Sequence, residues 1–82
     1  MDSRVALISI IVEQADSVEA LNRILHEYGA YIIGRMGLPY QKRGISIISI
    51  AVDAPADIIS ALSGKLVRLP GVSSKALYSK VN

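Results

Sequence analysis

The sequence of 82 residues contains no cysteine, no phenylalanine and no tryptophan, and its only histidine is His26. Without cysteine the chain forms no disulfide, no thiolate metal site and no cysteine nucleophile. One histidine, on the polar face of a predicted helix, is too few for a metal site within one chain. No nucleophile–base pair is evident either. The sequence therefore predicts no metal site, no cofactor and no catalytic residue, and hence no enzyme.

The chain also lacks a strong net charge and a long apolar run. Nine Lys and Arg against seven Asp and Glu leave a net charge of +2, which is too weak to indicate a nucleic-acid binder. No apolar run reaches the roughly 18–20 residues that cross a bilayer. The first run, Val5–Val12, is not preceded by the positive segment of a secretion signal. We expect a cytoplasmic protein that contacts no membrane and binds no nucleic acid directly.

Apolar residues are abundant instead. They make up 51% of the chain, and the mean hydropathy is +0.41. A chain of this length forms one domain, residues 1–82, and buries only about 60–65% of its unfolded surface. The apolar surplus needs another subunit to cover it, so we expect a homodimer or a homotetramer.

Four segments have the composition of β-strands. Each is rich in β-branched and other apolar residues and is bounded by turn-forming residues. The predicted loop Pro39–Arg43 joins the second strand to the third. The predicted strands are Val5–Val12, Tyr31–Leu38, Ile45–Val52 and Val72–Lys80.

Two helices are predicted between the strands. The first follows the polar loop Glu13–Asp16, and Asp16 or Ser17 is expected to cap it. The second begins at Pro55, a residue that a first helical turn accepts. In both, apolar residues recur at three- and four-residue spacing, which is typical of a helix with one buried face. They are Val18, Leu21, Leu25 and Tyr28 in the first helix, and Ile58, Leu62, Leu66 and Leu69 in the second.

The two halves of the chain repeat. Val12 corresponds to Val52, and Gly29 corresponds to Gly71, so the offset grows from 40 to 42 residues. Both glycines are expected to end a helix. A repeated βαβ unit in the order βαββαβ is the ferredoxin-like sandwich, an α+β fold. Right-handed crossovers then place both helices on one face of an antiparallel four-stranded sheet with strand order 4-1-3-2.

Both predicted central strands are apolar on each of their faces. A strand of an antiparallel sheet with one wet face alternates apolar and polar residues, and neither Val5–Val12 nor Ile45–Val52 does so. Because the helices cover only one face, we expect the other face to meet a second subunit. The residues predicted for this oligomer interface are Ile32, Gly34, Met36, Ile45, Ile47 and Ser49.

Several activities of this fold require residues that the chain does not have. An RNA-recognition domain stacks bases on aromatic residues of its central strands, and these strands contain none. A soft-metal chaperone would need paired cysteines. An acylphosphatase-like enzyme would need an arginine in a phosphate-binding loop after the first strand, where Glu13–Asp16 is acidic. Function must be argued from other sites.

The segment Gly34-Arg35-Met36-Gly37 has two interpretations. Structurally it is a bulged or bent edge strand in which Arg35 lies on the same side as Ile33. Functionally, Arg35 pairs across a subunit boundary or holds an anionic ligand. A ligand is expected between the loop after the first strand and a neighbouring subunit, where backbone N–H groups are free. The residues predicted to bind it there are Glu13, Gln14 and Asp16, and Arg35 is the next candidate.

The tripeptide Ser63-Gly64-Lys65 looks like a fragment of a phosphate-binding loop. It lies in the middle of the second predicted helix, however, and it lacks the upstream glycine of such a loop. We interpret Gly64 as a position that lets another backbone approach the helix closely.

Two segments, YIIGRMG at Tyr31–Gly37 and ISALSGKL at Ile59–Leu66, resemble the small proteins described as iron-only hydrogenase system regulators. The resemblance extends from Ala6 to Lys80, with Val67 where a glycine is expected. That family is similar to ACT domains and to the ligand-binding part of the nickel-responsive regulator. The resemblance implies an ACT-like domain that forms dimers or tetramers and senses a small ligand at a subunit boundary.

The nickel site of the nickel-responsive regulator is not carried over, because it uses several histidines and a cysteine. Because the first predicted strand starts at Val5, we expect no ribbon-helix-helix segment before it, and any role in transcription is expected to need a partner. The leading hypothesis is a non-enzymatic regulatory domain that senses a small ligand. The alternative is a scaffold that binds a protein partner through its edge strands, Lys75 and Lys80, without a small molecule.

Overall fold

The computed structural model of the chain describes residues 3–80. The strands are β1 (Ser3–Val12), β2 (Ile32–Tyr40), β3 (Ile45–Pro55) and β4 (Val72–Tyr78), and the helices are α1 (Val18–Glu27) and α2 (Ala56–Val67). The strands form one antiparallel sheet in the order β2-β3-β1-β4. This confirms the predicted ferredoxin-like α+β fold and its strand order.

The core lies between the two helices and one face of the sheet. Alternate residues of the central strands β1 and β3 meet the apolar stripes of α1 and α2 there. Burying each Leu or Ile side chain in such a core contributes about 1.5–3 kcal/mol. The buried apolar residues are Ala6, Ile8, Ile10, Val12, Leu21, Leu25, Ile48, Ile50, Val52, Ala54, Ile59, Leu62, Leu66 and Val72.

The start of α1 differs from the prediction of a side-chain cap at Asp16 or Ser17. A short 3₁₀ turn, Ala15–Ser17, precedes the helix and already gives Ser17 a helical backbone conformation, with φ of −83° and ψ of −12°. A capping side chain needs an extended backbone at that position. The Ser17 hydroxyl instead donates a hydrogen bond of 2.6 Å to the carbonyl of Pro70. The serine therefore ties the loop after β1 to the turn before β4.

α2 starts one residue later than predicted, and its fully buried stripe differs from the prediction at one position. Pro55 ends β3 and immediately precedes the helix, whose first residue is Ala56. Ile59 rather than Ile58 completes the buried stripe with Leu62 and Leu66, whereas Ile58 is half-buried. Leu69, beyond the end of the helix, packs against the core from the turn.

The hairpin between β2 and β3 is shorter than predicted. Pro39 and Tyr40 belong to β2, although they were expected in the loop. A proline is tolerated there because β2 is an edge strand. The connection is a 3₁₀ turn at Gln41–Arg43 closed by Gly44, which has a φ of +65°. At the other end of the chain β4 ends at Tyr78, before the predicted Lys80.

β2 contains the predicted bulge. Its pairing with β3 skips Ile33, which is the extra residue. Arg35 pairs with the core residue Ile50, so it lies on the face covered by the helices. The prediction that Arg35 lies on the side of Ile33 is wrong, because the extra residue interrupts the alternation of faces.

Gly71 provides a test of the contact between the loop after β1 and the turn before β4. Its φ is +71°, and a Cβ there would lie 2.7 Å from Gln14 Cγ and 3.0 Å from the backbone N of Gln14. Gly44 has a similar φ of +65° but open space around it. We predict that Gly44→Ala costs about 1–2 kcal/mol, the cost of a left-handed backbone, and that Gly71→Ala costs more. Urea unfolding at one fixed protein concentration measures both, and equal losses would contradict the steric role of Gln14.

Candidate functional site

The face of the sheet opposite the helices, termed the open face, is exposed and largely apolar. Its side chains alternate with the core residues along each strand. Leu77 is 72% exposed and Met36 is 70% exposed. Monomeric proteins rarely expose a contiguous apolar patch of more than a few hundred Å², so the open face has the character of a contact surface. Its exposed large apolar residues are Val5, Leu7, Met36, Leu38, Tyr40, Ile47 and Leu77.

One row that crosses the middle of the open face is more polar than the rest. The strand register aligns one residue from each strand in this row, and apolar rows lie on both sides of it. A surface that covers the open face must supply hydrogen-bond partners to this row, because burying a hydroxyl or an ammonium without a partner is unfavourable. From edge to edge the row is Met36, Ser49, Ser9 and Lys75.

An apolar hollow of 330 Å³ lies at one end of the open face. Leu7 of β1 pairs with Leu77 of β4 on one side and with Ala51 of β3 on the other. The small side chain of Ala51 leaves space beside the two leucines. The hollow is lined by Val5, Ala6, Leu7, Ala51, Leu77, Tyr78 and Ser79.

The residues predicted for the oligomer interface fall on both faces of the sheet. Ile32 lies on the helix-covered face, because it pairs with the core residue Val52 and packs against the core. It therefore does not belong with the others, and the bulge at Ile33 is the reason. The remaining residues lie on the open face: Gly34, Met36, Ile45, Ile47 and Ser49.

Other members of the open face were not assigned from the sequence. The alternation in β1 separates Val5 and Leu7 from the core residues, but a strand that is apolar on both sides does not reveal which set meets the helices. Tyr40 lies beyond the predicted end of its strand. Leu77 lies two residues after Lys75, on the same face of β4, and the polar Lys75 could have indicated that this face is the one away from the core.

A cleft of 210 Å³, termed the Arg35 cleft, lies between α1 and the β2–β3 side of the sheet. Arg35 Nη2 donates a hydrogen bond of 3.0 Å to Asn22 Oδ1 of α1, which holds the guanidinium beside the helix. Arg35 forms no ion pair with any residue in the range 3–80. The cleft is lined by Val18, Asn22, Arg35, Gly37, Leu38, Pro39, Ser46 and Ile48.

The Arg35 cleft combines one positive charge with an amide, a hydroxyl and apolar side chains. A guanidinium binds a carboxylate through two parallel hydrogen bonds. Gly37 lines the cleft, and a Cβ at that position would meet no atom within 4 Å, so the cleft has open space there. The chemistry of the lining fits a small ligand that carries one carboxylate.

The loop after β1 and Arg35 do not form one site. The backbone N–H of Glu13 donates a hydrogen bond of 2.7 Å to the carbonyl of Gly71. It is therefore not free for a ligand, contrary to the prediction. Gln14 packs against Gly71 as well, and Asp16 is exposed beside them. This loop belongs to the side of the sheet where β4 lies, whereas Arg35 is on β2, at the opposite edge.

Within residues 3–80, no group of three or more His, Cys, Asp or Glu side chains is placed to hold a metal ion. His26 is exposed on α1. None of the helices in this part of the chain is long and apolar enough to cross a membrane.

The sheet order, with both helices on one face, defines a ferredoxin-like α+β domain. The TM1266-like family, described as "Iron-only hydrogenase system regulator, putative", matches residues 4–76. This chain belongs to that family, which confirms the resemblance seen in the sequence. The family description supports a regulatory role.

Two solved structures are similar to the chain. The uncharacterized protein TM1266 from Thermotoga maritima has a TM-score of 0.92 and 30% identity, over 96% of this chain and 100% of that protein. A formyltetrahydrofolate deformylase from Pseudomonas putida KT2440 has a TM-score of 0.64 and 13% identity, over 88% of this chain but 28% of the deformylase, and shows the fold alone. No curated protein matches the sequence of this chain.

The hydrogen bond from Ser17 to Pro70 holds the loop after β1 in place. Ser17 is only 5% exposed, so Ser17→Ala leaves the Pro70 carbonyl without this donor. We predict a loss of about 1–2 kcal/mol in the free energy of unfolding. The control is Gln41→Ala, at an exposed position in the turn between β2 and β3, which is expected to change it by less than about 0.5 kcal/mol. Urea unfolding compares the two, and a loss no larger for Ser17→Ala would show that this bond does not stabilise the loop.

Proposed function

We propose that this chain is a non-enzymatic regulatory domain that works as an oligomer, paired through its open face, and that senses a small carboxylate ligand. The regulatory role has the support of the family description. The pairing rests on one observation above all, the exposed apolar residues of the open face. The ligand has the support of the chemistry of the Arg35 cleft.

The energetics favour pairing through the open face. Burying about 600 Å² of apolar surface contributes about 15 kcal/mol. The loss of translational and rotational freedom costs about 4–15 kcal/mol. Two open faces packed together lie about 10 Å apart, as in other sheet-on-sheet packings. The serine hydroxyls of the polar row can then bond to those of the second copy.

Substitution of Ile47 tests the pairing. Ile47 lies on a central strand and is 38% exposed, so Ile47→Glu leaves the carboxylate hydrated in a single protomer but buries it between two paired sheets. We predict that this variant loses the assembly formed through the open face. The control is Val67→Glu, which places the same charge at a 49% exposed position of α2. Sedimentation equilibrium reports the subunit number, and an unchanged Ile47→Glu assembly would refute pairing through this face.

Strand β2 contributes side chains to both the Arg35 cleft and the open face, so it connects ligand binding to the contact surface. Arg35 lies on its helix-covered side, and the adjacent Met36 lies on its exposed side. A ligand that holds Arg35 therefore stabilises one arrangement of a strand that also forms part of the contact surface. A ligand shifts the equilibrium between assemblies only to the extent that it binds one of them more tightly.

Substitution of Arg35 tests the ligand site. We predict that at least one member of a panel of amino acids and 2-oxo acids raises the thermal unfolding temperature, as binding to the folded state requires. Arg35→Gln is expected to abolish that rise because it removes the charged guanidinium, which would bind the carboxylate through two hydrogen bonds. Arg23→Gln is the matched control, because it removes the same charge from the exposed surface of α1. Arg23 Nη2 lies 3.7 Å from Glu19 Oε1.

Two outcomes would contradict the ligand proposal. One is that no member of the panel changes the unfolding temperature. The other is that a shift remains in Arg35→Gln. An oligomer without ligand binding would favour the scaffold that binds a protein partner instead.

A further inference from the structure

The outward side of α2 carries a shallow groove that the proposed function does not use. Ile59, Leu62 and Leu66 pack on the sheet, so the opposite side of the helix faces away from the core. The groove has a volume of 490 Å³, and small residues lie at its centre. It is lined by Asp57, Ser60, Ala61, Gly64, Lys65 and Arg68.

Packing within the protomer does not require glycine at position 64. A Cβ on Gly64 would meet no atom within 4 Å. Glycine is a poor helix former compared with alanine, so its place inside α2 is locally unfavourable. A glycine that faces a groove does allow a second helix to approach the backbone closely.

The groove residues are arranged symmetrically along α2. Ala61 and Gly64 lie equally far from the point midway between residues 62 and 63, and so do Asp57 and Arg68. Two copies of α2 can pack antiparallel, related by a two-fold axis at this point. Each residue then lies opposite the partner's residue that is equally far from the point on its other side. Each Ala61 then meets the partner's Gly64, and each Asp57 meets the partner's Arg68.

We propose that α2 docks antiparallel against α2 of a second copy of this chain through this groove. Charge favours this occupant and this orientation, because unlike charges meet at both ends of the contact. A parallel pair would place Asp57 against the partner's Asp57. In an antiparallel pair the positive end of each helix dipole also lies beside the negative end of the other, which is favourable.

The charges at the ends of the groove are available for such a contact. Among residues 3–80, Arg68 has no ion-pair partner. Asp57 Oδ1 accepts a hydrogen bond of 3.0 Å from the N–H of Ile58, which leaves Oδ2 for a partner. Lys65 is committed elsewhere, with its Nζ 5.1 Å from the centre of the Tyr28 ring. Exposed ion pairs add little affinity, but they select the orientation of a contact.

The contact through α2 is separate from the open face. The helices cover one face of the sheet and the open face is the other, so both surfaces can be occupied at the same time. The proposal therefore does not rest on the open-face pairing. In the Ile47→Glu variant, which removes that pairing, the α2 contact is expected to leave a dimer.

The first test substitutes Gly64. We expect Gly64→Leu to fill the groove and to abolish the dimer in the Ile47→Glu variant. The substitution improves helix propensity and has open space in the protomer, so a single cooperative thermal unfolding transition verifies the fold. Ala56→Leu, at an exposed position of α2 outside the groove, is the control and leaves the dimer intact. A dimer that persists in Gly64→Leu overturns the proposal.

The second test exchanges the charges. In the same Ile47→Glu background, Asp57→Arg or Arg68→Asp alone places like charges together twice and weakens dimerisation about tenfold. The double variant Asp57→Arg/Arg68→Asp restores it. Sedimentation equilibrium measures all three. If the double variant does not recover dimerisation, the antiparallel arrangement is overturned. A groove that binds a different protein would give that same result.

The two proposals fail in distinguishable ways. Assembly that is lost in Gly64→Leu but not in Ile47→Glu would support the α2 contact and refute the open-face pairing. Assembly that is lost in Ile47→Glu alone, with no effect of Gly64→Leu in the wild-type chain, would support the open face and overturn the α2 contact.

Discussion

Two helices can cover only one face of a sheet whose central strands are apolar on both faces. The structure of this protein depends on that mismatch. One set of residues from β1 and β3 forms a closed core with α1 and α2, and it makes the fold stable. The other set remains on the open face, which no element within residues 3–80 covers. An exposed apolar surface of this kind favours contact with another molecule, and we propose that a second copy of the chain covers it.

A single extra residue in β2 decides what the edge strand presents to each side. Because Ile33 is not paired with β3, the residues after it change face. Arg35 consequently lies beside α1 and Asn22, in a cleft lined by both polar and apolar residues, while Met36 and Leu38 extend the open face. One short strand thus contributes to two chemically different surfaces, a charged one toward the helices and an apolar one away from them.

The elements of the fold could be predicted from the sequence, because β-branched runs and helical periodicity are local signals. The strand order followed from general rules of connection. The placement of Ile32 and Arg35 could not be predicted, since a bulge depends on the pairing between two strands. The loop after β1 was expected to offer free N–H groups, but the turn at Gly71, distant in the sequence, uses the N–H of Glu13. Long-range contacts of this kind leave no local pattern.

The most direct test of the uncovered open face is native mass spectrometry of the protein purified from its host. It measures the number of subunits of 8.8 kDa in each particle, together with any retained small molecule. A dimer or a larger assembly is the predicted result, and extra mass on each subunit would also give the mass of the ligand. A monomer would show that the open face stays in contact with water, which contradicts the central claim.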